Sequence, residues 1–351
     1  MRGFVVSDLK HHSQIPLSAN VPEPTPGPGQ VLVDVYSAGL NFFDTLQTQG
    51  KHQSKPALPF VLGAEFAGRI SKDSPIPKGC PYKPGDRVFG AGQGAYADKV
   101  AADVGQLLPL PDNITYDQGA GLFVTWPTSY EALVGRADLK PGEWVLVTAA
   151  AGGVGIAAVQ LAKVLGAKVI AAAGSDSKVE VAKRYGGADF GINYSKPGWQ
   201  KEVMKLTGGK GADVIYDPVG LINGMLHILI ETNAKSFTLS DSLKCIAWKG
   251  RALVIGFAAG TIEKVPMNIV LLKNISLVGL HWGPYSKLDK GRISDVWKAL
   301  LDLFASNKIT PVMYDRIYTL ETVSEGLAAI ERRETWGKAI VRIQSEPNAK
   351  L

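Results

Sequence analysis

Apolar and polar positions change rhythm along this chain of 351 residues. The N-terminal third alternates short apolar runs with glycine and proline. Val31–Ala38, Leu62–Ile70 and Pro84–Phe89 read as brief strands closed by glycine turns, the pattern of an irregular β barrel. Before them, Val21-Pro22-Glu23-Pro24-Thr25-Pro26-Gly27-Pro28-Gly29-Gln30 is too rich in proline for a helix interior or a central strand. Helical spacing sets in from Tyr116 to Val134. Strands and helices then alternate: a strand from Val145, helix, Lys168–Ala173, helix Ser177–Tyr185, Phe190–Tyr194, helix Gly198–Leu206, Ala212–Asp217, Arg251–Gly256 and Ile275–Leu280. Six buried strands with helical crossovers predict an α/β doubly wound parallel sheet, whose ligand lies beyond the carboxyl ends of the strands. From residue 284 the chain returns to amphipathic helix and a last strand, Gly337–Ile343, expected to rejoin the first domain. The division predicted is 1–122 with 284–351 for the barrel and 123–283 for the sheet domain.

One stretch carries specific chemistry. Val145–Val147 leads through Thr148-Ala149-Ala150-Ala151-Gly152-Gly153-Val154-Gly155 into the helical run Ile156–Lys163. Glycines at such a turn let backbone amides approach a pyrophosphate, and the helix turns its positive end toward that charge. Ala150 stands where the first glycine of the dinucleotide fingerprint belongs, so only Gly152 and Gly155 are in register. The following strand completes a βαβ unit of about 30 residues, the context the motif requires. An ordinary glycine turn without ligand is the competing reading.

The end of the second strand selects among dinucleotides. An acid there would accept hydrogen bonds from the adenosine ribose. The chain instead reads Gly174-Ser175-Asp176-Ser177-Lys178, with Tyr194 as a later donor, so Ser175, Lys178 and Tyr194 can surround a 2′-phosphate. Asp176 is expected as the N-cap of a helix from Ser177, and Lys178 has the alternative of a solvated helix lysine. NADPH is therefore expected rather than NADH.

Composition narrows the class. Hydrophobic residues make up 46% and the formal net charge is +6, but the cations are scattered, with no five-residue basic run, so nucleic acid is not an expected partner. No apolar stretch approaches the roughly 20 residues that span a bilayer, and Met1–Val6 is too short for a secretion signal. Cys80 and Cys245 are too few for a disulfide framework or a thiolate cage, which fits a reducing compartment. Ala349-Lys350-Leu351 matches a peroxisomal address, with chance as the alternative and a cytoplasmic protein otherwise.

The order of barrel, glycine turn and returning tail resembles the medium-chain dehydrogenase/reductase superfamily, in its zinc-free quinone oxidoreductase branch. Ala38–Asp44, Gly63–Gly68, Gly85–Val88, Thr128–Leu133, Ala149–Gly155 and Gly279–Gly283 carry the likeness over nearly the whole chain. It implies a GroES-like barrel domain beside a Rossmann domain, and a homodimer paired through the last Rossmann strand. Zinc-dependent relatives have a cysteine where this chain has Asn41, a histidine where it has Ala64, and a four-cysteine lobe that is missing here. His11, His12, His52, His227 and His281 show no ligand spacing with either cysteine, so no metal is expected. His11 and His12 are expected to be solvent-facing loop residues. Without a Lewis acid the acceptor must already be electron-poor, as quinones and α,β-unsaturated carbonyls are.

By the same resemblance Asn41 and Thr128 belong at the nicotinamide end, with Asp44 holding the loop geometry. A turn-forming Asn41 and a helix-capping Asp44 explain the same residues structurally. Ile255, Gly256, Phe257, Leu280, His281 and Trp282 would line the other side of the ring. Lys338 would place a cation near the cofactor, or lie on the surface. Leu46 stands where relatives often carry a tyrosine, which puts a fixed general acid in question; Tyr36 and Tyr130 have hydroxyls, with core packing as the alternative for Tyr130. Phe42, Phe43, Trp126 and Trp282 could wall a flat cleft or simply pack. Leu221–Asp241 is longer than the branch usually has. The leading reading is an NADPH-dependent quinone reductase. The alternatives are a reductase of alkenal or enoyl double bonds, and a cofactor-binding protein without catalysis, RNA-binding included.

Overall fold

A computed structural model describes residues 1–220, 239–257 and 264–346. Most of the long segment 221–241, and the tripeptide Ala349-Lys350-Leu351, lie outside the described residues. The chain forms two compact units, Met1–Val124 with Pro311–Leu351, and Thr125–Thr310.

In the first unit β1 (Gly3–Val6), β2 (Leu17–Ser18), β3 (Gln30–Gly39), β4 (Phe60–Val61), β5 (Glu65–Ile70), β6 (Arg87–Ala91), β7 (Lys99–Asp103) and β8 (Leu107–Pro109) precede the second unit, and β15 (Met313–Tyr318) and β16 (Lys338–Arg342) follow it. A small sheet runs β2-β1-β4. The larger one runs β15-β16-β3-β5-β6-β8, with β7 also on β3. Inward positions of β3 bury Val31, Val33 and Val35 against Phe66, Ile70 and Val88, so the alternation read along the chain becomes one core. The run 62–70, expected as one strand, is extended into the sheet only from Glu65, as β5. Gly63 turns the chain at φ 96°, where a Cβ would stand 2.5 Å from the Tyr96 ring, and so separates β5 from β4, which belongs to the other sheet.

The helical stretch 116–134 is likewise broken into Tyr116–Gly119, Thr125–Glu131 and a wider turn of π type, Ala132–Arg136. Thr115 caps the first piece, its hydroxyl accepting from the Gln118 amide at 3.2 Å.

The second unit holds β9 (Trp144–Val147), β10 (Lys168–Ala173), β11 (Phe190–Asn193), β12 (Ala212–Asp217), β13 (Ile246–Val254) and β14 (Ser276–Gly279), all parallel in the order β11-β10-β9-β12-β13-β14. This is the doubly wound arrangement expected. Its strand order reverses between β9 and β12, and the crevice of such a sheet opens there. Leu146, Ile170, Ala172, Ile192 and Ile215 form its core.

One expected boundary is corrected here, and one of two readings of Trp126 holds. The return to the first unit comes at Pro311, not at 284, because helix Lys290–Ala305 buries Val296, Trp297, Leu300 and Phe304 within the second unit. Trp126 is 3% exposed and meets Phe304 edge-on, with ring centroids 4.9 Å apart, so it packs the core and walls no cleft. No helix among the described residues is long and apolar enough to cross a membrane.

Candidate active site

The glycine turn follows β9. Ala149 takes φ 46°, a left-handed conformation that strains any residue with a Cβ, so the sharp bend falls one position before Ala150. Gly152 is the N-cap of helix Gly153–Val164 and, being glycine, offers no side chain to cap the amides of its first turn. Such amides, together with the helix dipole, are suited to an anion. At Gly155 a Cβ would lie 2.3 Å from the Ala149 carbonyl oxygen, so this glycine is what lets the helix lie against the strand exit. Ala151 is buried, while Gly153 and Val154 are half-buried around the turn.

Beyond β10 the cap is Ser175 and not Asp176. The Ser175 hydroxyl accepts from the Lys178 amide at 3.3 Å, which starts helix Asp176–Gly186 one residue earlier than expected. Asp176 is thereby free of the capping role. Its carboxylate pairs with Lys196 at 2.9 Å and accepts from the Asn193 amide at 3.0 Å, and both bonds hold its pKa below the usual carboxylate value. The Tyr194 ring lies over Gly174, where an added Cβ would be 3.5 Å from it, and the Ser195 hydroxyl donates to the Gly174 carbonyl at 2.9 Å. Gly174, Ser175, Lys178 and Tyr194 are thus gathered at the ends of β10 and β11. Lys196, two positions past Tyr194, joins them, though only its sequence neighbourhood could have marked it.

Strand ends β12 to β14 supply the other predicted residues. Buried Asp217 accepts from the Thr148 hydroxyl at 2.9 Å and the Val219 amide at 2.9 Å, tying the exits of β9 and β12 together. The Ile255 amide continues the ladder onto the Asp217 carbonyl, and the Leu280 amide onto that of Val254. Ile255 and Gly256 are half-buried, Phe257 and His281 exposed, and Leu280 buried. Trp282 stacks on Tyr285 with centroids 4.8 Å apart. Thr128 is half-buried on helix Thr125–Glu131.

In the first unit Asn41, Asp44 and Lys338 come together, with two partners the sequence reading did not single out as site residues, Glu65 and Tyr96. Asn41 begins helix Phe42–Thr48 in a capping box: the Asp44 carboxylate accepts its amide N–H at 2.8 Å. The Asn41 side chain donates through Nδ2 to Glu65 at 2.8 Å and accepts through Oδ1 from the Lys338 ammonium at 2.6 Å. Lys338 also pairs directly with Glu65, whose second oxygen accepts from the Val124 amide at 3.0 Å.

The stem of Lys338 reaches this point through space that two glycines leave open. A Cβ on Gly39 would stand 2.8 Å from Lys338 Cε, and one on Gly121 would stand 2.6 Å from its Cγ. Lys338 is therefore buried, and the surface reading of it is corrected.

Asp44 is fully enclosed. Tyr96 donates its hydroxyl to Asp44 Oδ2 at 2.5 Å, and Oδ1 meets no hydrogen-bond partner among the described residues. Burial pushes the Asp44 carboxyl up to about 7, against the pull of Tyr96, the Asn41 amide and Lys338. Burial and the adjacent carboxylate drive the Tyr96 phenol well above its ordinary value, so it stays a donor. Both structural readings of Asn41 and Asp44 hold locally, since together they form the helix cap.

The histidine expectation fails. His12 is 0% exposed and His11 half-buried, and both face Glu331 on helix Val323–Glu331. Burial lowers the His12 pKa and favours the neutral ring. Although burial works to raise it, hydrogen bonds from His12 and His11 hold Glu331 below its usual value.

Comparison with known proteins accords with this geometry. Residues 27–112 match the alcohol dehydrogenase GroES-like domain, and 153–306 the zinc-binding dehydrogenase family. The chain is 37% identical to quinone oxidoreductase-like protein 2 of Rattus norvegicus, covering 98% of this chain and 92% of that protein. It is 30% identical to quinone oxidoreductase of Homo sapiens, over 93% and 92%. Among solved structures, Escherichia coli quinone oxidoreductase complexed with NADPH superimposes with a TM-score of 0.82 at 28% identity, covering 97% of this chain and all of that one.

Proposed function

Because this chain belongs to the quinone oxidoreductase branch of the medium-chain dehydrogenase/reductase superfamily, we propose that it is an NADPH-dependent oxidoreductase that reduces quinones and related α,β-unsaturated carbonyls without a catalytic metal. The observation that carries the choice of cofactor is the pairing of Asp176 with Lys196. It takes up the carboxylate that could otherwise serve a ribose diol, while Ser175, Lys178 and Tyr194 supply the hydroxyls and cation suited to a 2′-phosphate. The open first turn of helix Gly153–Val164 suits the pyrophosphate.

The donor set of the first unit argues against zinc at Asn41. Both polar atoms of its amide are engaged, Ala64 offers no ligand, and the Lys338 ammonium would repel a dication at that spot. Bound NADPH supplies a hydride, which an electron-poor acceptor can take unaided because the charge spreads over a phenolate or enolate. The chain's own contribution is orientation. Asn41 presents an amide whose rotation Glu65 and Lys338 prevent, and Asp44 positions it from behind through its backbone N–H. Thr128, Ile255, Gly256, Phe257, Leu280, His281 and Trp282 are the residues proposed to receive the nicotinamide end.

The test is a rate matrix of NADPH and NADH against small quinones, alkenals and enoyl-CoA, with and without chelator. Quinone-dependent NADPH oxidation indifferent to chelator is expected. Turnover confined to alkenals or enoyl-CoA, or lost on chelation, would replace this reading.

A further inference from the structure

We propose that His11, His12 and Glu331 form a binding site for a divalent transition-metal ion of the zinc type, set apart from the nucleotide chemistry. The two imidazoles turn the same nitrogen, Nε2, toward one carboxylate oxygen, Glu331 Oε2, at 3.1 Å from His11 and 3.0 Å from His12. The three ligand atoms lie within 4.8 Å of one another. An ion 2.0–2.1 Å from each wants them about 3.4 Å apart, so loading the site takes side-chain shifts on the order of 1 Å. Two imidazoles and one carboxylate suit zinc, cobalt, nickel or copper, whereas calcium and magnesium want oxygen ligands throughout.

The outer contacts support the same use. The second nitrogen of each ring already meets a hydroxyl: His11 Nδ1 lies 2.8 Å from Ser13 Oγ, and His12 Nδ1 lies 2.9 Å from Ser324 Oγ. Metal-bound histidines are oriented by this kind of contact. Without metal, both Nε2–H groups donate to the carboxylate. With an ion in their place, each neutral ring carries its proton on Nδ1 and donates to its serine, whose hydroxyl turns from donor to acceptor. No proton leaves the protein in this exchange: the two Nε2–H bonds to the carboxylate give way to bonds to the ion, and the 3.3 Å contact from the Ser13 amide to His11 Nδ1 is given up. His12 closes the site inside, while His11 and Glu331 leave its outer side open for a water as fourth ligand. No residue is shared with the Asn41, Glu65 and Lys338 cluster, so the ion would act as a clamp joining residues 11–14 to helix Val323–Glu331.

The test uses tag-free full-length protein, stripped with chelator and titrated with cobalt(II), then with zinc(II) in competition. One cobalt per chain with the visible absorption of a tetrahedral centre is expected, displaced by one zinc, which also raises Tm. In Glu331→Gln and in His11→Gln the affinity should fall roughly 100-fold or more, since losing a ligand outweighs the 10–100-fold loss of an outer contact. His11 is half-exposed, so its variant should keep the metal-free Tm while losing the zinc-induced rise. Absence of binding, weak octahedral cobalt only, or equal affinity in the variants would overturn the site.

Discussion

Lys338 and Glu65 form an ion pair in the interior of the first unit, with their side chains 9% and 0% exposed. Removing one partner of a buried pair strands the other. Lys338→Met should therefore lower stability by about 3–5 kcal/mol, while adding Glu65→Gln should recover much of that loss. Urea denaturation of the two variants and the wild type measures both quantities. Equal destabilisation in the single and double variants would mean that packing of the lysine stem, not charge, is what matters there.

Asp44 gives the fold a dependence on pH of unusual sign for a carboxyl group. Its pKa is raised from 3.8 to about 7, so between those values the folded state holds a proton that the unfolded chain releases. Its contribution is fully present below pH 3.8 and is lost as pH rises toward 7, amounting to a few kcal/mol. Asp44→Asn should flatten the fall in unfolding free energy over that interval. Denaturation curves at several pH values would show the slope in the wild type and its loss in the variant.

Gly155→Ala places a methyl carbon 2.3 Å from the Ala149 carbonyl. Backbone cannot yield there as a side chain would, so the helix must move off the strand exit. Expected are a destabilisation of about 1–3 kcal/mol and loss of dinucleotide binding, read by calorimetry. Gly152→Ala, where the nearest atom would be 3.4 Å away, should be much milder for stability.

Lys178→Ala should weaken NADPH by about 1–3 kcal/mol while leaving NADH nearly unchanged, if its ammonium meets the 2′-phosphate. Lys196→Ala should act in the same direction, and should also release Asp176. Fluorescence titration with both dinucleotides separates the cases. Parallel losses for NADPH and NADH would remove these lysines from phosphate recognition.

The second unit was readable because its signals are local. Each strand is an apolar run, each crossover shows helical spacing, and the glycine turn sits where both meet. Where the reading went astray, the deciding contact was distant. Helix Lys290–Ala305 is amphipathic whichever unit it joins, and only the meeting of Phe304 with Trp126 assigns it. The first-unit cluster assembles from strand ends far apart in sequence, so Glu65 looked like part of a glycine motif and Tyr96 like nothing in particular. Asn41, Asp44 and Lys338 could be named only through a family resemblance, and nothing local joins them; the passage that Gly39 and Gly121 open is needed only by a side chain arriving from elsewhere. His11 and His12 misled for the same reason: a polar histidine pair reads as exposed until helix Val323–Glu331 covers it.

The first unit is split in sequence, and Asn41 and Lys338 stand 297 positions apart. During synthesis Glu65 emerges early, whereas the cation that neutralises it leaves the ribosome only after the whole nucleotide unit has been made. The parallel sheet can therefore complete itself while the barrel still lacks β15 and β16. Closure of the first unit thus waits for β16, and a nascent chain cut short before residue 338 would carry an unmatched carboxylate inside it.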